Sequence, residues 1–142
     1  MDVRTVTPNV SVSPQITPAE VKELAAMGFK AIVGNRPDGE EPGQPDWSAI
    51  ADAADAAGLE YAFIPVTPGQ MSDAQAEEFR RLVTEMPKPV LAFCKTGTRS
   101  IHLWALAARD RLSTDEVIRM AATAGYDLEG MRERLDAASP TG

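Results

Sequence analysis

Cysteine occurs once in this 142-residue chain, and so does histidine. A single thiol excludes any internal disulfide and leaves Cys94 without a resolving partner, a usage that fits a reducing cytoplasm as the expected location. One Cys and one His are too few for a zinc site of soft ligands, so no metal or other cofactor is expected. Basic residues are also scarce: 14 Lys and Arg stand against 21 Asp and Glu, for a net charge of -7. That balance argues against nucleic acid or an anionic membrane as partner, because both require clustered cations. No apolar run approaches the ~20 residues of a membrane span. The opening Met1-Asp2-Val3-Arg4 has no basic stretch leading into an apolar one and is not read as a secretory signal. What is present is an ordinary globular composition, 44% apolar and 25% charged, over a length that suits one domain. Residues 1–138 are expected to form it, with 139–142 as a frayed tail.

Turn and capping residues divide the chain into alternating elements. Val3 to Thr7 and Val10 to Ser13 read as short strands around a Thr7-Pro8-Asn9 turn. Thr17, Pro18 and Glu20 form a capping box for a helix that stops at Gly28. A strand follows from Phe29 to Val33, then a loop over residues 35–45 rich in proline and glycine. Asp46 is placed as the cap of a helix running to Ala57, and Leu59 to Val66 as the next strand. Ser72 caps a third helix, apolar at Phe79, Leu82, Val83 and Met86. Val90 to Phe93 is a short continuous apolar run of the kind that forms a central strand covered on both faces. Helices are expected from Arg99 to Arg109, from the Ser113–Glu116 box to Ala124, and from about Leu128 to Ala137. Strands alternating with helices imply an α/β fold, a central and mostly parallel sheet with helices on both faces. Met27, Met86, Met120 and Met131 are read as core filler, Trp104 as core, and Trp47 as a rim or packing residue.

Ligands in such sheets bind at the carboxyl ends of strands, and Cys94 lies at one of them. Thiolates are favoured at helix N-termini and beside cations, and the run Cys94-Lys95-Thr96-Gly97-Thr98-Arg99 leads straight into a helix. Gly97 lets successive N–H groups converge on one point, an anion-binding nest that Lys95, Thr96 and Thr98 complete. Arg99 offers a planar fork for an oxyanion, and Ser100 a hydroxyl placed to hydrogen-bond the sulfur. Cys94, Arg99 and Ser100 are therefore the catalytic candidates. The reading requires a pocket between the sulfur and an inward-facing guanidinium.

The segment Tyr61-Ala62-Phe63-Ile64-Pro65-Val66, a helix, and then Pro89 to Ser100 resembles the second half of a dual-specificity phosphatase. With the early Asn35-Arg36-Pro37-Asp38-Gly39-Glu40 motif and the Cys-x-x-Gly-x-Arg-Ser loop, the chain over residues 3–110 more closely resembles the phosphatase-like domain of beta-lactamase-hydrolase-like bacterial proteins. The resemblance implies a cysteine-phosphatase-like fold and a thiolate nucleophile. Arg36 and Asp38 join the candidate substrate-side residues, with two readings of Arg36 left open: reaching the active-site face, or lying on the surface paired with Glu40 or Glu41.

Three departures separate the chain from that pattern. Four residues lie between Cys94 and Arg99 where cysteine phosphatases have five, a length nearer to rhodanese-type sulfurtransferases. Pro68 stands where dual-specificity phosphatases carry a general-acid Asp, a group that contributes ~10²–10⁴-fold. Asp38 and Asp73 are the nearest replacements, but a Pro-Asp-Gly turn and a helix start account for both. Phe93 replaces the usual histidine, and His102 reads as a solvated helix-face residue.

Sulfur transfer needs none of the missing parts, so it leads: Cys94 takes sulfane sulfur from thiosulfate or a small persulfide, and an external thiol accepts it. The alternative is phosphate-monoester hydrolysis through a phosphocysteine on the same residue. A third reading is an anion-binding module without turnover. In each case the partner is a small anion.

Overall fold

A computed structural model describes residues 1–138, so the tail expected at 139–142 lies outside the described residues. Five four-residue strands make one sheet: β1 (Arg4–Thr7), β2 (Val10–Ser13), β3 (Ala31–Gly34), β4 (Glu60–Phe63) and β5 (Val90–Phe93). Their order is β1-β2-β5-β3-β4. Only the β1–β2 hairpin is antiparallel, and the other three pairings are parallel. β5 is thus central, flanked by β2 and β3, and all four of its residues are buried.

The helices are α1 (Pro18–Ala26), α2 (Trp47–Ala56), α3 (Asp73–Glu85), α4 (Thr98–Ala108), α5 (Thr114–Thr123) and α6 (Arg132–Ala137), the last preceded by a 3₁₀ turn at Glu129–Met131. Among the described residues, no helix is long and apolar enough to cross a membrane. Strand side chains alternate between faces, and β5 divides accordingly. Leu91 and Phe93 pack with Val21, Leu24, Ile50 and Ala54 of α1 and α2. Val90 and Ala92 pack with Phe79, Leu103, Val117 and Leu135 of α3 to α6. The sheet is therefore covered on both faces.

Capping boxes form at Thr17–Glu20 and Ser113–Glu116, and Ser72 pairs with Gln75 in a third. At α2 the cap is displaced. Asp46 makes no side-chain cap bond, and the N–H of Trp47 donates instead to Asp38 Oδ1 at 2.7 Å. The strand expected through Val66 ends at Phe63, because its partner β3 ends at Gly34 and Pro65 has no N–H to donate. Ile64 and Val66 still reach across, bonding to the carbonyls of Gly34 and Asn35.

Several packing expectations need adjustment. Met27 is 58% exposed rather than core, since α1 ends there and Phe29, after the turn at Gly28, fills the space under Leu24. Met86 is buried, and Met120 and Met131 pack partly against the core, as does Ala138. Trp104 is buried. Trp47 is a packing residue, stacked on Phe63 with ring centroids 5.0 Å apart and in edge contact with Tyr61.

Candidate active site

The polypeptide leaves the central strand at Phe93 and re-enters helix at Thr98, one residue earlier than expected. Between them the loop is tied to its surroundings at several points. Cys94 N–H donates to Ser13 O at 3.4 Å, and Lys95 O accepts from Gln15 N–H at 3.3 Å, both from the end of β2. Gly97, the N-cap of α4, has φ +92°, a left-handed conformation that strains any residue with a Cβ. That turn brings the Gly97 N–H onto Cys94 Sγ at 3.1 Å. The N–H groups of Thr96, Arg99 and Ser100 have no protein acceptor among the described residues. They belong to the loop and the first turn of α4, where orphan amides and the helix dipole together favour an anion.

Arg99 is fixed by a residue the sequence reading had not assigned to it. Its Nη1 donates to Glu40 Oε2 at 2.7 Å and to Val66 O at 2.8 Å, and its Nη2 donates to Glu40 Oε1 at 2.9 Å. This two-point pairing uses one edge of the guanidinium and leaves the Nε edge uncommitted. The Arg99 pKa is raised by the Glu40 hydrogen bond above all, with burial opposing and negative charge at Cys94 adding to the rise. The guanidinium is therefore turned inward onto Glu40 and Val66 O, with the side chain 13% exposed, rather than facing outward.

Glu40 also accepts from Arg36 Nε at 2.9 Å, and Arg36 reaches Glu41 Oε1 at 3.0 Å and Gln15 Oε1 at 3.2 Å. The open question over Arg36 resolves into a combination: it pairs with both glutamates, yet is only 6% exposed and shares Glu40 with Arg99. Lys95 closes the chain of charges by pairing with Glu41 at 2.5 Å. The Glu40 carboxyl is held below its usual value by the Arg99 hydrogen bond first, against opposing burial, and then by Arg36. Glu41 is lowered by Lys95 above all.

Other expected members are placed differently. Ser100 is fully buried, but its hydroxyl donates to Asn35 Oδ1 at 2.9 Å, and Asn35 Nδ2 in turn donates to Ile64 O at 3.0 Å. It ties α4 to β3 and β4 and makes no hydrogen bond to the sulfur. Asp38 is committed to capping α2 and so is not offered to an anion. Thr96 and Thr98 hydrogen-bond each other at 2.9 Å through their hydroxyls. His102 is half-buried rather than solvated, and burial first, then the charge of Arg134, lowers its pKa.

The expected open cradle is only half present. Cys94 has no exposed surface, because the loop folds its own Gly97 amide onto the sulfur. A groove of about 460 Å³ lies elsewhere, along Ala76, Arg80, Leu106, Asp110 and Arg134.

A central parallel strand with a cysteine immediately after it, followed by a glycine-capped helix whose first residues include an arginine, defines a fold of the cysteine-phosphatase type. Residues 2–110 match the family described as beta-lactamase hydrolase-like protein, phosphatase-like domain, and the chain belongs to that family. It is 41% identical over 112 residues to the beta-lactamase hydrolase-like protein of Agrobacterium fabrum, covering 78% of this chain and 26% of that protein. The chain thus spans about a quarter of the length of that relative. Among solved structures, a Neisseria meningitidis protein with a provisional phosphatase assignment is 40% identical with a TM-score of 0.86, over 97% of this chain and 99% of that one. The fold is also that of P. aeruginosa TpbA, solved in complex with pTyr, at a TM-score of 0.67 and 18% identity over 99% and 83% of the two chains.

Proposed function

We propose that this chain hydrolyses phosphate monoesters through a phosphocysteine on Cys94. The observation that carries the reading is the placement of Arg99, clamped by Glu40 and Val66 O with its Nε edge uncommitted, at the start of the helix that follows Cys94. A phosphoryl group bound there has its equatorial oxygens met by a fixed guanidinium and by the orphan amides of the loop. The family and the solved relatives favour this reading over sulfur transfer, which rests on the four-residue spacing between Cys94 and Arg99.

In the first step the Cys94 thiolate attacks phosphorus, an S–P bond forms and the P–O bond to the leaving group breaks. In the second, water attacks phosphorus, the S–P bond breaks, and orthophosphate and the thiolate are released. Arg99 and the loop amides hold the charge that spreads over the phosphoryl oxygens in both. The candidate general acids are committed elsewhere: Pro68 stands where dual-specificity phosphatases carry the acid, Asp38 caps α2, and Asp73 pairs with Arg134. The leaving group must then depart as a stable anion, so the substrate class is aryl phosphates, with phenolate leaving groups, over alkyl phosphates. The sealed sulfur implies that the loop shifts when substrate enters.

The test is hydrolysis of p-nitrophenyl phosphate by the wild type and Cys94→Ser. Turnover that disappears in the variant, with a phosphoryl adduct trapped on Cys94 by rapid acid quench, supports the reading. Thiocyanate formed from thiosulfate and cyanide, in the absence of any phosphoryl adduct, would replace it with sulfur transfer.

A further inference from the structure

Tyr126 lies outside residues 2–110, which carry the family match, yet it touches the cysteine loop. Its hydroxyl donates to Thr96 O at 3.0 Å, and a Cβ built on Gly97 would fall 2.1 Å from Tyr126 Oη. The carbonyl it holds belongs to the same peptide unit as the Gly97 N–H, which donates to Cys94 Sγ at 3.1 Å. In a trans peptide the C=O and N–H point in opposite directions. A donor that anchors the carbonyl outward therefore keeps the amide hydrogen turned inward, onto the sulfur. If this peptide rotated, a carbonyl oxygen would face Cys94 and repel both a thiolate and any bound oxyanion.

From this we infer that Tyr126 is a positioning residue that locks the Thr96–Gly97 peptide with its N–H toward Cys94, acting on the nucleophile through the loop backbone. Its own placement is rigid. The end of α5 is a Schellman turn, with Gly125 N–H bonded to Ala122 O, Tyr126 N–H bonded to Ala121 O, and Gly125 at φ +98°. Burial above all, with negative charge at Cys94 adding, raises the Tyr126 pKa, so the phenol remains a donor at neutral pH. The inference rests on Cys94 as the reacting group but not on the identity of the substrate.

Tyr126→Phe keeps the ring and removes the clamp. Two measurements on the full chain read the consequence: deuterium exchange at the Gly97 amide by NMR, and the rate at which iodoacetamide alkylates Cys94 at pH 7. One net hydrogen bond corresponds to a factor of roughly 3–10, so Gly97 exchange should accelerate and alkylation slow by about that much. Tyr61→Phe, at an exposed tyrosine away from the loop, controls for loss of a phenol and should change neither. Unchanged Gly97 exchange in Tyr126→Phe overturns the inference. So does alkylation that is unchanged or faster, which would make the ring a cover over the sulfur rather than a clamp. Because neither readout involves turnover, failure to hydrolyse aryl phosphates would remove the proposed activity and leave this result standing.

Discussion

Glu40→Gln preserves the shape of the side chain and removes its charge, and so isolates what the carboxylate does for the arginines around it. Arg99 gives Glu40 two hydrogen bonds and Arg36 gives it one. The two arginine side chains are 13% and 5% exposed, and Glu40 is 19% exposed. Each hydrogen bond to a charged group contributes about 1.5–3 kcal/mol net when well formed. Partial exposure of Glu40 screens these bonds, and the Gln amide oxygen still accepts one of them, so the expected loss is about 2 kcal/mol rather than their sum. For a chain of this length that lowers the melting temperature by roughly 6–8 °C.

The effect on turnover should be larger. A guanidinium released from its two-point clamp is misaligned for the phosphoryl oxygens, and kcat/KM for p-nitrophenyl phosphate should fall by ~10–100-fold. The pH dependence supplies an independent check. Because the folded carboxyl lies below its usual value of 4.5, the stabilisation is complete above about pH 4.5 and is lost as pH falls through the folded value. The stability gap between wild type and Glu40→Gln should therefore be constant at neutral pH and close on acidification. Thermal denaturation from pH 7 to pH 3, with steady-state kinetics at neutral pH, measures both effects. A variant with wild-type melting and kcat/KM within twofold would refute the assignment of Glu40 as the anchor of Arg99.

Two further outcomes are expected. Asp38→Ala removes the side-chain cap of α2 and should lower stability by about 1 kcal/mol in urea titration, whereas Asp46→Ala, whose carboxylate caps nothing, should leave it unchanged. His102 should titrate below its usual 6.5 in NMR, and, since the folded state then binds the proton less readily than the unfolded chain, wild type should lose stability relative to His102→Gln as pH falls below 6.5.

The order of strands and helices was legible because the relevant signals are local: capping boxes at Thr17 and Ser113, glycine stops at Gly28 and Gly125, and the apolar run Val90 to Phe93. The loop that carries Cys94 was legible for the same reason, since Cys94, Gly97 and Arg99 are close in sequence and their spacing marks a turn from strand into helix. What escaped the reading lies far along the chain. Glu40 is 59 residues from Arg99, Asn35 is 65 from Ser100, and Tyr126 is 30 from Thr96. Glu40 and Asn35 sit within a motif visible in the sequence, but nothing local says which arginine or hydroxyl each will meet. Ser100 was assigned to the sulfur by adjacency, and a buried asparagine that needed a donor for its carbonyl took the hydroxyl instead. Tyr126 carries no sequence signal at all, because its position depends on how α5 docks beside β1.

Sulfur and guanidinium are mounted at opposite ends of a loop whose two supports, β5 and α4, are deeply enclosed: all four residues of β5 and eight of the eleven of α4 are buried. Such elements open only when the whole fold opens. The candidate site is therefore not a loosely held appendage that can melt first. A modest loss of stability lowers the share of folded molecules while leaving the loop of each survivor intact, and substitutions throughout α4 act on the abundance of the folded protein before they act on the geometry of the site.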